Sequence, residues 1–194
     1  MFFLTVVFSM LDIDLISEIP GNALDDLFAL TPALAINGYF WQFITYMFMH
    51  AGFWHLFINM FTLVTFGPMV EMEMGSKRFL IFYLLCGLGS AILHIALTGI
   101  SVVPMVGASG AIFGVLTAFG LMFPRQQVLF MFLFPMPAIT AVAIFGFLEF
   151  FYGITSPGSG IAHFGHLGGI VTAIILLKVF KIWRKKEWYW FWEY

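Results

Sequence analysis

Five stretches of the chain are nearly unbroken apolar runs: residues 54–70, 79–97, 109–123, 138–153 and 163–180. A membrane span takes about 20 apolar residues, fewer when the helix is short or anchored at the interface, so each run is expected to be a transmembrane helix. A sixth run, 1–11, stops at Asp12 and Asp14 and reads as the end of a first helix that looks truncated. It has neither the basic start nor the small-residue cleavage site of a signal peptide. Pro135 and Pro137 stop any helix running through 126–153, so the link before the fifth span is expected to be irregular and that span short. In the stretch 71–78, Gly75 reads as a helix stop and Ser76 as the N-cap of the next helix.

Charge then orients these helices. Lys77 and Arg78, then Arg125, then Lys178, Lys181, Arg184, Lys185 and Lys186 follow the second, fourth and sixth spans, while the opposite connections carry no Lys or Arg. Under the positive-inside rule those three places are cytoplasmic. Six helices with both termini inside follow, in one domain covering 1–194. The segment 12–49 carries Asp12, Asp14, Glu18, Asp25 and Asp26 among Pro, Gly and aromatics, and is expected to be a long interfacial loop with short amphipathic helices. Trp183, Trp188, Tyr189, Trp190, Trp192 and Tyr194 alternate with basic residues in the 181–194 tail, as an aromatic belt at the headgroups would.

Composition agrees: 62% of the 194 residues are hydrophobic, 20% aromatic and 9% charged, against about 25% charged in soluble domains. Lipid must be the solvent for most of such a chain, which excludes an ordinary soluble globule, a disordered segment and a nucleic-acid partner. A net charge of −2 biases no partner by sign, and the single cysteine, Cys86, excludes a disulfide framework or a cysteine metal site. No internal repeat is apparent, which argues against a repeat-built transporter.

Polar side chains at membrane depth are costly, so each is a functional candidate. His55 and Asn59 open the second span at i and i+4, on one helix face. Ser109 opens the fourth inside Gly107-Ala108-Ser109-Gly110, and His163 and His166 open the sixth, one turn apart. All sit at the outer ends of their helices, so they share one depth. Gly110 with Gly114 and Gly165 with Gly169 are small-residue pairs that let neighbouring backbones approach. If those faces meet, Ser109 and His163 come within hydrogen-bonding reach, the arrangement an activated serine requires. His55, Asn59 and the Ser109 backbone N–H could then stabilise an oxyanion. The plainer reading of each residue is a packing serine or a helix tie. His94 reads as a helix-to-helix bond, the phenylalanines of 130–134 as packing, and Glu149 is given no role.

Taken together, these motifs resemble the rhomboid family of intramembrane serine proteases over nearly the whole chain. His55-Leu56-Phe57-Ile58-Asn59, with His50 five residues earlier, is similar to the family's second-helix motif. Gly107-Ala108-Ser109-Gly110 is similar to its Gly-x-Ser-Gly, Ala162-His163 with the following glycines to its sixth-helix motif, and 71–76 to its Glu-x-x-x-Gly-Ser turn. The resemblance implies a six-helix bundle with a cavity opening outward, and a Ser109–His163 dyad with no third acidic member. It further implies His55 and Asn59 in the oxyanion hole, and a fifth helix that gates substrate access. Two positions depart: Gln42 follows Trp41 where many members have Arg, and Phe113 stands where a Tyr often packs on the catalytic His.

The function expected is therefore endoproteolysis of transmembrane segments of protein substrates, without metal or cofactor, in a bacterial cell membrane. The rivals are a non-catalytic relative that binds client segments, and a metal or haem protein built on His50, His55, His163 and His166. The first would lose Ser109 or His163, and both are present. The second lacks a Glu after His55 for His-Glu-x-x-His, and its spacings do not suit haem.

Overall fold

A computed structural model describes residues 27–130, 133–156 and 159–182. The expected first helix, the acidic part of the first loop and the aromatic tail lie outside these residues. Two one-turn helices, α1 (Pro32–Ala35) and α2 (Gln42–Thr45), precede a 3-10 turn, Tyr46–Phe48. Five longer helices follow: α3 (Phe53–Met74), α4 (Ser76–Thr98), α5 (Ser109–Met122), α6 (Ala138–Thr155) and α7 (His163–Val179). They match the five apolar runs to within a few residues at each end. Among the described residues α3, α4 and α6 are long and apolar enough to cross a membrane, and α5 and α7 are shorter apolar helices. The chain is a mostly helical, multi-pass membrane protein.

Three local expectations change. The fifth span, expected to be short, is the 18-residue α6, longer than α5 and α7, because its helix starts directly after Pro137 and runs on to Thr155. Gly75, at φ 79°, both ends α3 and precedes the first residue of α4. One residue in the left-handed region makes the whole turn. Ser76 is therefore the first residue of α4 rather than its cap, and Glu71 and Glu73 belong to the last turn of α3. The link before α6 is an ordered antiparallel hairpin, β1 (Gln127–Phe130) with β2 (Phe134–Pro137), in which Gln127 faces Pro137 and Phe130 faces Phe134. Prolines suit an edge strand because only one side of it needs N–H donors. The hairpin ends where the Ala138 N–H donates to the Gln126 carbonyl at 2.8 Å, at the start of α6.

The described part of the first loop is folded against the helices by specific bonds. Leu30 and Met105 exchange backbone hydrogen bonds of 2.9 Å in both directions. The fully buried Gln42 accepts from the Thr31 N–H at 3.0 Å, and the Trp41 indole N–H donates to the Leu27 carbonyl at 2.7 Å. The Tyr46 hydroxyl donates to the Gly87 carbonyl of α4 at 2.8 Å. A buried amide at position 42 thus makes a neutral structural bond.

The core of the bundle is the α4, α5 and α7 trio, packed through glycine. A Cβ on Gly169 would strike the Gly110 carbonyl oxygen. One on Gly114 would lie 2.6 Å from Cys86 Sγ and 3.3 Å from the Gly169 carbonyl, and one on Gly168 would lie 2.6 Å from the Gly89 carbonyl. No side chain fits at these contacts, so the two small-residue pairs do meet, as their spacing predicts.

Candidate active site

The nucleophile candidate owes its position to the turn before it. Gly107 has φ +118°, and a Cβ there would lie 2.7 Å from the His55 ring, so glycine is required for conformation and for space. The Gly107 N–H donates to the Tyr46 carbonyl at 3.0 Å, which ties this turn to the first loop. Ser109 is then the first residue of α5, where its N–H has no carbonyl a turn earlier in the helix to bond.

Which histidine meets Ser109 follows from the α5–α7 contact. Gly110 faces Gly169. His166, three residues before Gly169, lies about 60° round α7 and about 4.5 Å toward the outer end, whereas His163 lies about 120° round and about 9 Å away. Ser109 is one residue outward from Gly110, so His166 is at its depth. The Ser109 hydroxyl lies 2.7 Å from His166 Nε2. The expected Ser109–His163 contact is thus replaced by Ser109–His166. Phe113, one turn into α5, stacks on the His166 ring with centroids 4.4 Å apart and planes 17° from parallel. The ring that the resemblance would put on the catalytic histidine is therefore on His166.

His163 turns toward α6 instead. It is buried, and its Nδ1 lies 2.6 Å from Glu149 Oε2 while its Nε2 lies 3.2 Å from Ser159 Oγ. With Nδ1–H donating to the carboxylate, the Ser159 hydroxyl donates to Nε2. The same Glu149 oxygen is 3.0 Å from His166 Nδ1, within ion-pair distance but off the line of a hydrogen bond. One ligand atom from each of Glu149, His163 and His166 lies within 4.8 Å of the other two, a set a divalent cation could bridge. The 2.6 Å separation of His163 and Glu149, however, is that of a hydrogen bond, with a proton between the atoms.

On α3, the His55 ring packs against Gly107, and its Nδ1 accepts from the Ala51 N–H at 3.4 Å. Asn59, a turn further along the same face, is buried, and its Nδ2 has no partner among the described residues. An unsatisfied buried amide donor costs about 1–3 kcal/mol, which a site expecting a negative oxygen would recover. His50, in the loop before α3, meets the His55 ring edge-on at 5.1 Å. Burial first, and then His55, lower its pKa to about 4, so it is neutral near pH 7.

Of the residues expected to converge, Ser109 and His55 meet at the Gly107 turn, Asn59 lies one turn below, and His163 is displaced by His166. Glu149 and the role of His166 went unread. The available signals were axial: His166 stands three residues before the glycine that must face Gly110, and Glu149 lies about 9 Å from the outer end of α6, at the depth of the other polar groups.

A rhomboid domain model matches residues 37–182. The chain is 31% identical over 133 residues, 66% of its length, to Rhomboid protein 1, mitochondrial, of Saccharomyces cerevisiae. It is 31% identical over 144 residues (70%) to RHOMBOID-like protein 6, mitochondrial, of Arabidopsis thaliana, and 34% over 139 residues (72%) to Rhomboid protease GluP of Bacillus subtilis. These matches span 38%, 42% and 26% of the three relatives' own lengths. With a domain match across most of the chain and the glycine-packed helices in between, this protein belongs to the rhomboid family.

Proposed function

We propose that the protein is an intramembrane serine endopeptidase that cleaves transmembrane segments of membrane-protein substrates. Ser109 is the nucleophile and His166 the general base. The carrying observation is the 2.7 Å contact between the Ser109 hydroxyl and His166 Nε2 at the end of two helices whose backbones touch. In the cycle, the serine proton moves to Nε2 as Oγ bonds to the scissile carbonyl carbon. The same proton then leaves with the amine, and water hydrolyses the acyl-enzyme. The Ser109 N–H, His55 and the unpartnered Asn59 amide are the donors for the oxyanion.

Lys77, Arg78, Arg125, Lys178 and Lys181 lie toward the ends of the helices opposite the site. By the positive-inside rule the site opens away from the cytoplasm, in the expected bacterial cell membrane. A helical substrate must unwind before attack, so small residues, Gly or Pro near the cleavage site favour it. The test is labelling of the membrane-reconstituted protein by a fluorophosphonate. Labelling is expected in wild type and His163→Ala, and absent in Ser109→Ala and His166→Ala. Labelling or cleavage that survives Ser109→Ala overturns the reading.

A further inference from the structure

We propose that Glu149 is the third member of the site, a positioning residue that orients His166 through Nδ1 and compensates the charge the ring gains when it takes the Ser109 proton. This rests on the serine-protease reading, and departs from the two-residue site that the family resemblance implies. The carboxylate stands on α6, about 9 Å from the outer end of that helix, at the depth of the Ser109–His166 contact. A lone carboxylate at such a depth is expensive and needs partners. Here both partners are histidine Nδ1 atoms: His163 at 2.6 Å and His166 at 3.0 Å.

The hydrogen-bond chain has a direction. Ser109 O–H faces His166 Nε2, so the neutral base must carry its own proton on Nδ1, the nitrogen that faces Glu149 Oε2. His163 donates its Nδ1–H to the same oxygen and is held in turn by Ser159 at Nε2. His163 therefore fixes the carboxylate, and the carboxylate selects the His166 tautomer that leaves Nε2 free to accept. Phe113 holds the ring plane from one face. On attack, one proton passes from Ser109 to Nε2, and the imidazolium formed has N–H groups at both ends, with the negative carboxylate beside Nδ1. No proton is transferred to Glu149. Hydrogen bonds in unliganded sites are often poorly aligned and tighten with substrate, which accounts for the off-line His166 Nδ1.

The rival role for Glu149 is a simple tie between α6 and α7 through His163. The two are separated by comparing Glu149→Gln, Glu149→Asp and His163→Asn in reconstituted protein, reading kcat, KM, melting temperature and the ring-nitrogen proton resonances of His166. The positioning role predicts that Glu149→Gln lowers kcat on the order of 10²-fold or more, short of the ~10⁴ lost when a well-aligned Asp partner is replaced in Ser-His-Asp sites. KM and melting temperature should change little. Glu149→Asp should restore part of the loss, and His163→Asn should cost less than Glu149→Gln. The His166 Nδ1 proton should resonate at low field in wild type and in Ser109→Ala and move upfield in Glu149→Gln. That signal needs no substrate, so it reports on Glu149 even if Ser109-dependent cleavage is never found.

Wild-type kcat in a folded Glu149→Gln protein overturns the proposal. So does a His166 Nδ1 resonance indifferent to Glu149, a loss matched by His163→Asn together with a lowered melting temperature, or a stoichiometric metal ion held by these three side chains.

Discussion

α5 and α6 both pack on α7, by different means. Between α5 and α7 the contact is backbone on backbone: Gly110 and Gly114 face Gly169 with no room for a Cβ. Between α6 and α7 the contact is made by side chains. Gly153 faces the Phe164 ring, and Gly146 has only Ile170 Cδ1 near it, at an ordinary 3.7 Å. Phe147, Phe150 and Ile154 of α6 are turned outward and exposed, toward lipid. Carbonyls in van der Waals contact cannot yield, whereas a ring or a methyl can turn. Ser109 and His166, the proposed nucleophile and base, are therefore fixed relative to one another by a backbone contact with no slack. The helix that brings Glu149 is held by more adaptable contacts, which suits the gating role that the family resemblance implies for it.

The sharpest way to break this contrast is at the fixed pair. Ser109→Ala and His166→Ala should each reduce cleavage by about 10⁶-fold, to background, and the double variant should be no worse, because residues acting as a unit are not additive. His163→Ala should retain cleavage far above that level, since both His163 nitrogens are turned to Glu149 and Ser159. A rate as low as that of His166→Ala, in a folded protein, would return the base to His163.

Next comes the α3 side of the site. Asn59→Ala and His55→Ala should each lower kcat by about 10²–10³ with little change in KM, the effect of losing one oxyanion donor. The loss is smaller for whichever donor the Ser109 N–H can replace. For Asn59→Ala, melting temperature should hold or rise, because an unpartnered buried donor is removed. A lower melting temperature with kcat intact would make Asn59 structural.

The two glycine contacts can then be compared directly with the smallest possible probe, one methyl group. Gly169→Ala drives its methyl into the Gly110 carbonyl and should cost about 1–3 kcal/mol of stability, with activity falling as the helices part. Gly146→Ala, its counterpart on α6, has space and should be neutral or gain up to about 1 kcal/mol from helix propensity. Thermal unfolding of the two variants in the same detergent decides. Equal destabilisation would erase the distinction between the two interfaces.

How far the chain could be read in advance depends on which residues are asked about. The extents of α3 to α7 were legible because lipid demands uninterrupted apolar runs, and because Gly75, Pro135 and Pro137 punctuate them. The depth shared by His55, Ser109, His163 and His166 was legible too, since each stands near the start of a helix that begins on the same side. Within one helix, periodicity also settles which residues share a face, as for His55 and Asn59.

What the tertiary structure alone decided is the offset between helices. Sequence spacing orders residues along α7 but says nothing of how far α7 slides or turns against α5. That offset comes from Gly169 seating on Gly110, and it presents His166, not His163, to Ser109. The same offset leaves His163 pointing at α6 and explains why Glu149, isolated in the sequence from any cation, has two histidines beside it. The hairpin between α5 and α6 and the seating of Gln42 under Thr31 belong to this second kind as well. They depend on backbone pairing and side-chain bonds between segments that no local pattern links. Composition and periodicity act within a segment. Contacts between segments depend on the relative placement of whole helices, which close packing of small residues selects.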